Sequence, residues 1–161
     1  MIRKLQKLSP IATGKSYKTL LQEIKQRVYE AQREALKAVN KHLIALYWDI
    51  GKRIVERQKE HGWGKSIVEN LARDLQREFP GMQGFSSRNI WYMRTFFVVY
   101  SREAKLQPMV AEIGWAHNVV IMDKCKDLLE REFYIRMTRK FGWTKNVLIH
   151  QKQVARLMEE I

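Results

Sequence analysis

The sequence predicts an all-α, mostly helical protein, and three observations support this class. Apolar residues recur at helical spacing along most of the chain. Pro and Gly are concentrated in a few short connections, where they interrupt that spacing. Hydrophobic residues make up 45% of the 161 residues, which is enough for a packed core. We therefore expect a basic lead over residues 1–16 and a single helical domain over residues 17–161.

The longest predicted helix covers residues 17–60, a stretch without Pro in which Gly51 is the only Gly. A helix of about 40 residues is roughly 60 Å long, so we treat this element as a long helix or arm. Its first part carries an apolar stripe with alternating four- and three-residue steps, which is the a/d spacing of a coiled coil. We predict that this stripe is an oligomerisation surface, most simply of a dimer, formed by Tyr17, Leu21, Ile24, Val28, Ala31, Ala35 and Ala38.

The apolar stripe changes position after Ala35 and continues at Val39, Leu43, Leu46 and Ile50. Such a shift is a stutter, which locally unwinds a supercoil. One interpretation is that the first part pairs subunits and the second part packs on the core. The other is that the whole stripe is intramolecular and faces the C-terminal helices. The small Ala side chains allow close approach in either case.

Residues 62–100 predict a helix-turn-helix. Ser66 and Glu69 have the spacing of a capping box, which would start the first helix. Pro80-Gly81 ends that helix, and Ser86-Ser87 starts the second. Two short helices joined by a Gly-containing turn are typical of DNA-binding units, in which the second helix enters a DNA groove. The predicted inner face of this second helix is Ile90, Met93, Phe97 and Tyr100.

The outer face of the second helix is unusual for a DNA-reading surface. It carries Trp91, Tyr92, Val98 and Val99 beside Arg88 and Thr95. A helix that is apolar nearly all round is usually buried. We therefore expect this face to be covered by a partner subunit or by the C-terminal segment. The N-terminal end of the helix would remain accessible to phosphates, which the helix dipole favours there.

Residues 109–161 predict the C-terminal helices. An apolar segment covers residues 110–122, and Asp127 with Glu130 predicts the start of a helix that ends at Phe141 before Gly142. The predicted inner face of that helix is Leu129, Phe133, Tyr134, Met137 and Phe141. Thr144 is the predicted cap of a last helix whose apolar residues are Val147, Leu148, Val154, Leu157 and Met158. The connections at 80–86 and 101–109 leave room for a minimal β wing, although neither alternates clearly.

The residues that carry chemistry are sparse, and we predict no enzyme activity, no cofactor and no metal site in this chain. The four His are scattered without a ligand partner, and His117 suits a hydrogen-bonded core position. The Gly62–Ser66 segment lacks the first Gly of a phosphate-binding loop. Cys125 is the only Cys, which excludes an intramolecular disulfide and fits a reducing compartment. With no long apolar run and no secretion signal, a cytoplasmic location and no membrane partner are expected.

The formal charge of +13 favours a polyanionic partner, with duplex DNA first. We expect phosphate contacts rather than base reading. The predicted nucleic-acid-binding residues are Lys65, Arg73, Ser86, Ser87, Arg88, Asn89 and Arg94. The alternative is a protein-interaction module that assembles subunits and touches no nucleic acid. A third and weaker reading is binding to structured RNA.

A set of ordered segments also resembles a known family. These segments are Leu46–Gly51, Gly62–Ser66, Leu75–Gly81, Gly84–Asn89, Met93–Arg94, Trp115–His117, Arg131–Tyr134 and Gly142–Thr144. Between about residues 17 and 157 the chain resembles the N-terminal domain of the YhcG-type bacterial proteins, long catalogued as a domain of unknown function. Ala116 departs from the Ser expected there in most relatives.

The resemblance implies a winged-helix-like fold in a bacterial protein. It also implies a PD-(D/E)XK nuclease domain as partner, in cis or in trans, because that domain is not within these 161 residues. The resulting expectation is a DNA-binding and dimerisation module that targets a nuclease.

Overall fold

The structure is a computed structural model that describes residues 14–161, and residues 1–13 of the basic lead lie outside the described part. Within that part the chain forms seven helices and no strand. The helices are α1 Lys15–His61, α2 Ser66–Glu78, α3 Ser87–Tyr100, α4 Gln107–Val110, α5 Trp115–Lys124, α6 Leu128–Phe141 and α7 Lys145–Glu159. The all-α prediction is confirmed, and the two connections considered for a wing contain turns and the start of α4 instead.

The chain divides into two compact units, Met1–Val39 and Asn40–Ile161, and the boundary lies inside α1. The predicted long helix is confirmed, since α1 runs without interruption for 47 residues. In the first unit, every described residue is exposed except Glu30, which is half-buried. The first unit therefore has no core of its own between residues 14 and 39.

The second unit is built around α3. Its core has two hydrophobic clusters, and α3 contributes to both. Ile90 and Met93 belong to one cluster, Phe96 and Tyr100 to the other, and all four have 0% exposure. The predicted inner face is confirmed except at Phe97, which is only half-buried because its neighbour Phe96 takes the core position. A helix buried to this depth organises the unit around itself.

Two glycines permit close packing around α3, one against backbone and one against a side chain. A Cβ on Gly51 of α1 would lie 2.1 Å from the Met93 carbonyl oxygen, so only Gly fits where α1 crosses α3. Gly84 precedes α3 with a φ of +102°, and a Cβ there would lie 2.2 Å from the Tyr47 hydroxyl. The single Gly in the long helix is thus a helix-crossing residue rather than a break.

Three predicted helix starts are confirmed by their caps. The side chains of Ser86, Asp127 and Thr144 accept hydrogen bonds from the backbone N–H three residues later, at 3.1, 2.8 and 3.2 Å. Gly142 ends α6 with a φ of +62°, the left-handed conformation expected of a C-terminal Gly. Local sequence therefore placed most of the helix boundaries in the second unit.

The capping box predicted at Ser66 and Glu69 is wrong. Lys65 holds the N-cap position of α2, has helical backbone angles and makes no side-chain cap hydrogen bond. The Lys65 carbonyl instead accepts from the Val68 N–H at 3.1 Å in a preceding turn. Ser66 is already inside the helix, where its hydroxyl is no longer placed to cap the end.

The predicted inner face of α6 is also wrong in part. Leu129 is 80% exposed, and Phe133 and Phe141 are more than half exposed. The buried residues of α6 are Tyr134, Ile135 and Thr138. The pattern of apolar residues misses Thr138, which is polar but buried. The predicted face of α6 is therefore rotated away from the face that packs on the core. In α7 only Leu148 is buried, so the other predicted apolar residues of that helix lie at least partly at the surface.

Candidate interaction surfaces

Three of the seven residues predicted to bind nucleic acid are exposed cations. Lys65 precedes α2, Arg73 lies on the exposed side of α2, and Arg88 lies in the first turn of α3. Arg73 and Arg88 extend from helices that pack on the core of the second unit, and Lys65 lies in the turn that leads into α2. These three side chains are the ones most accessible to a phosphate.

Arg88 takes part in a hydrogen-bonded chain that the sequence did not reveal. Its guanidinium donates to the Tyr92 hydroxyl at 3.3 Å, and that hydroxyl donates to the Asp123 carboxylate at 2.6 Å. The hydrogen bond to Tyr92 raises the pKa of Arg88 further, so the side chain stays charged. The carboxylate from α5 also lowers the local positive potential. A phosphate beside Arg88 would therefore meet a mixed surface.

Ser86 and Asn89 have structural roles at the start of α3. Ser86 caps the helix through the Asn89 N–H, as described above. The Asn89 side chain donates to the Gly84 carbonyl at 2.7 Å and accepts from the Trp115 indole N–H at 2.8 Å. It thereby joins the turn before α3 to α5. Ser87, between them in the first turn, is half-buried.

Arg94 is likewise occupied inside the fold. Its Nε donates to the Gln58 side-chain oxygen at 2.6 Å, and its guanidinium lies 5.6 Å from the centre of the Trp91 ring. Gln58 in turn lies 3.5 Å from the Gly64 carbonyl, next to Lys65. Arg94 thus connects α3 to Gln58 of α1, and Gln58 in turn reaches the turn before α2.

His117 lies where both ring nitrogens are hydrogen-bonded, as predicted. Nδ1 accepts from the Gly114 N–H at 3.0 Å, and Nε2 lies 2.6 Å from the Trp143 carbonyl oxygen. Because Nδ1 accepts, the proton must be on Nε2, which gives the neutral tautomer. His117 therefore ties the start of α5 to the connection before α7.

The structure adds little to the prediction of chemical sites. Between residues 14 and 161, no three His, Cys, Asp or Glu side chains lie close enough together to hold a metal ion. In the same range, no helix has the length and apolar character needed to cross a membrane. Cys125 is buried, and burial raises the pKa of its thiol to about 11.

The residues of the predicted pairing stripe are exposed along the first unit. Tyr17, Leu21, Ile24 and Val28 are between 37% and 52% exposed, and the three Ala of the stripe are exposed as well. Leaving such residues in water forgoes about 25 cal/mol per Å² of apolar area that a partner could cover. An apolar stripe of this length on one helix is typical of a surface that pairs.

A second apolar surface lies in the second unit and was not predicted as a site. A cleft of about 490 Å³ separates residues 46–57 of α1 from α2. Its walls are apolar, with Trp63, Phe79 and Met82 partly exposed at the surface and Arg53 and Arg57 among the lining residues. The one-sided stripe of α2 was the sequence signal, because its residues Ile67, Leu71 and Leu75 are only half-buried.

Comparison with known proteins identifies the family. The model of the DUF1016 N-terminal domain matches residues 23–157. The chain belongs to this family. The match begins just before Ile24, so this DUF1016 N-terminal domain includes most of the pairing stripe as well as α2–α6.

One curated relative gives the DUF1016 domain a wider context. The chain is 29% identical over 105 residues to the Escherichia coli (strain K12) protein named "Putative nuclease YhcG". The matched region covers 63% of this chain and 28% of that protein, so the chain spans less than a third of the relative's length. No solved structure matches the chain. The relationship expected from the sequence is thus confirmed at the level of the family.

Proposed function

We propose that this DUF1016 domain is an assembly module of a nuclease-associated protein, and that it pairs with a second copy through the first part of α1. The observation that carries the proposal is the exposed a/d stripe between Tyr17 and Ala38. A partner helix that covers this stripe would supply the burial that the first unit lacks. The nuclease chemistry suggested by the name of the relative would reside in another part of the protein or in a partner.

A second function, contact with the backbone of duplex DNA, is supported by a different observation. The formal charge is +13, and Lys65, Arg73 and Arg88 are exposed at or next to helices of the second unit. The burial of α3 argues against its insertion along a DNA groove, because Arg88 and Val98 are its only exposed residues. The DNA contact we propose is therefore electrostatic and independent of sequence.

The pairing proposal is tested by mass measurement of the full chain across a concentration series. We expect a dimer whose stability depends on the stripe. Replacing Leu21 and Ile24 together by Asp places charges in the seam and should yield a monomer. The matched control replaces Tyr29 and Leu36 together by Asp, two other exposed apolar residues of the same helix off the stripe. A wild-type chain that is monomeric at every concentration would refute the proposal.

The DNA proposal is tested by duplex binding across a salt series. The logarithm of the affinity should fall linearly with the logarithm of salt concentration, with a slope of about 0.9 per neutralised phosphate. Replacing Arg73 and Arg88 by Ala should reduce the slope by about two. Replacing Arg102 and Lys124, two other exposed cations, is the control for net charge. Absence of binding at low salt would leave assembly as the function.

A further inference from the structure

We propose that the two copies pair with their α1 helices antiparallel, in one register that places Leu21 of each helix opposite Ala38 of the other. This inference rests on the pairing proposed above and adds the orientation and the register. Leu21, Val28 and Ala35 occupy a positions of the heptad, and Tyr17, Ile24, Ala31 and Ala38 occupy d positions. Every residue of the stripe is exposed in the single chain and accessible to this partner.

The sizes of the seam residues favour an antiparallel pair. The large residues Leu21, Ile24 and Val28 lie in the first half of the stripe, and Ala31, Ala35 and Ala38 lie in the second half. In a parallel pair, large residues meet large ones at one end and Ala meets Ala at the other. Helices packed through Ala approach more closely than helices packed through Leu, so a uniform spacing would leave gaps or clashes.

In the antiparallel register each seam layer instead combines one large and one small residue. Leu21 packs on Ala38 of the partner copy, Ile24 on Ala35, and Val28 on Ala31. The three combinations repeat by symmetry, which gives six layers of similar volume. Equal layers let the two helices pack at one distance along the roughly 26 Å between residues 21 and 38.

The flanking charges select the same arrangement. Arg27 and Glu34 occupy g positions, which face each other across an antiparallel pair. In the proposed register Arg27 of each copy faces Glu34 of the other. A shift by one heptad one way places Arg27 against Arg27, and the opposite shift places Glu34 against Glu34. In a parallel pair, g faces e, so Arg27 meets Gln32 and Glu34 meets Val39 without an opposite charge.

The ion pairs present in the single chain do not compete strongly with this arrangement. Arg27 lies 3.6 Å from Glu30 and Glu34 lies 3.6 Å from Lys37, both within one helix and well exposed. Exposed pairs at this spacing contribute little, and the side chains can reorient.

The experiment is disulfide cross-linking of full-length chains under mild oxidation, with two variants that each add one Cys, Leu21→Cys and Ala38→Cys, of which one carries a size tag. Native Cys125 is buried, and the wild-type chain is the control for its reactivity. We expect a cross-linked heterodimer only when the two variants are mixed. In the antiparallel pair, two copies of residue 21 are 17 residues apart, about 26 Å, which a disulfide cannot span.

A charge exchange provides the second test. Arg27→Glu and Glu34→Arg should each weaken the dimer about tenfold, since each converts two attractive contacts into repulsive ones. The double exchange should restore the wild-type dissociation constant. Arg33→Glu, at the outward f position, makes the same change in net charge and should leave it unaltered.

The outcomes separate the orientation from the pairing itself. Self-linking of Leu21→Cys in a dimeric protein, or equal effects of Arg27→Glu and Arg33→Glu, would overturn the antiparallel register and leave pairing through α1 intact. A wild-type chain that is monomeric at all concentrations would overturn both proposals.

Discussion

Replacing Asn89 by Ala distinguishes a structural role from a nucleic-acid contact at a residue where the sequence predicted the contact. The substitution removes two short hydrogen bonds, to the Gly84 carbonyl at 2.7 Å and from the Trp115 indole at 2.8 Å. Each bond contributes about 1 kcal/mol net, and each partner left unpaired in a half-buried site adds a cost of its own. We expect a loss of about 3 kcal/mol in the free energy of unfolding.

The assay is thermal unfolding followed by circular dichroism. For a chain of this size, about 3 kcal/mol corresponds to a fall of roughly 10 °C in the melting temperature. Arg88→Ala, one residue away and exposed, should leave the melting temperature unchanged. A cycle with Trp115→Phe, which removes the indole donor, should show that the two losses are not additive. If Asn89→Ala keeps the wild-type melting temperature while DNA affinity falls, the structural reasoning is wrong and Asn89 is a surface contact.

Three further predictions follow from the packing of the second unit. Gly51→Ala should lower stability by about 2 kcal/mol, because the new methyl group would meet the Met93 carbonyl; a gain would show that the helix crossing can open. Asp127→Ala should cost about 1 kcal/mol in a denaturant melt through loss of its cap to Glu130, and Asp127→Ser should recover most of it. Cys125 should resist thiol reagents at neutral pH, because burial raises the pKa of its thiol to about 11. Between about pH 9 and 11 only the unfolded chain loses the thiol proton. The free energy of unfolding should therefore fall as the pH rises through this range.

The sequence predicted the helices well where local signals were decisive. The caps at Ser86, Asp127 and Thr144 join residues only three positions apart, so local sequence is sufficient to predict them. The face that a helix buries was harder to predict, because it depends on what the helix meets. On α6, Thr138 is buried while Leu129 is exposed, and no local pattern indicates this exchange.

Tertiary contacts explain what the sequence could not predict at the candidate nucleic-acid surface. Arg94 and Asn89 are polar residues beside predicted cations, so they looked available to a ligand. Their partners Gln58 and Trp115 are 36 and 26 residues away in the chain. Pairings at such separations appear only once the helices are assembled. Nucleic-acid binding by the exposed cations Lys65, Arg73 and Arg88 stays a prediction.

DNA binding and assembly with a protein partner require different surfaces of the chain to be accessible. A helix-turn-helix that reads DNA presents an exposed face of its second helix to the groove, whereas only Arg88 and Val98 of α3 are exposed here. The accessible apolar surface lies instead on the first part of α1 and in the cleft beside α2. Apolar surface is recognised by protein, and phosphate by exposed cations such as Arg73. A dimer would carry two sets of these cations, so that weak contacts to DNA could act jointly.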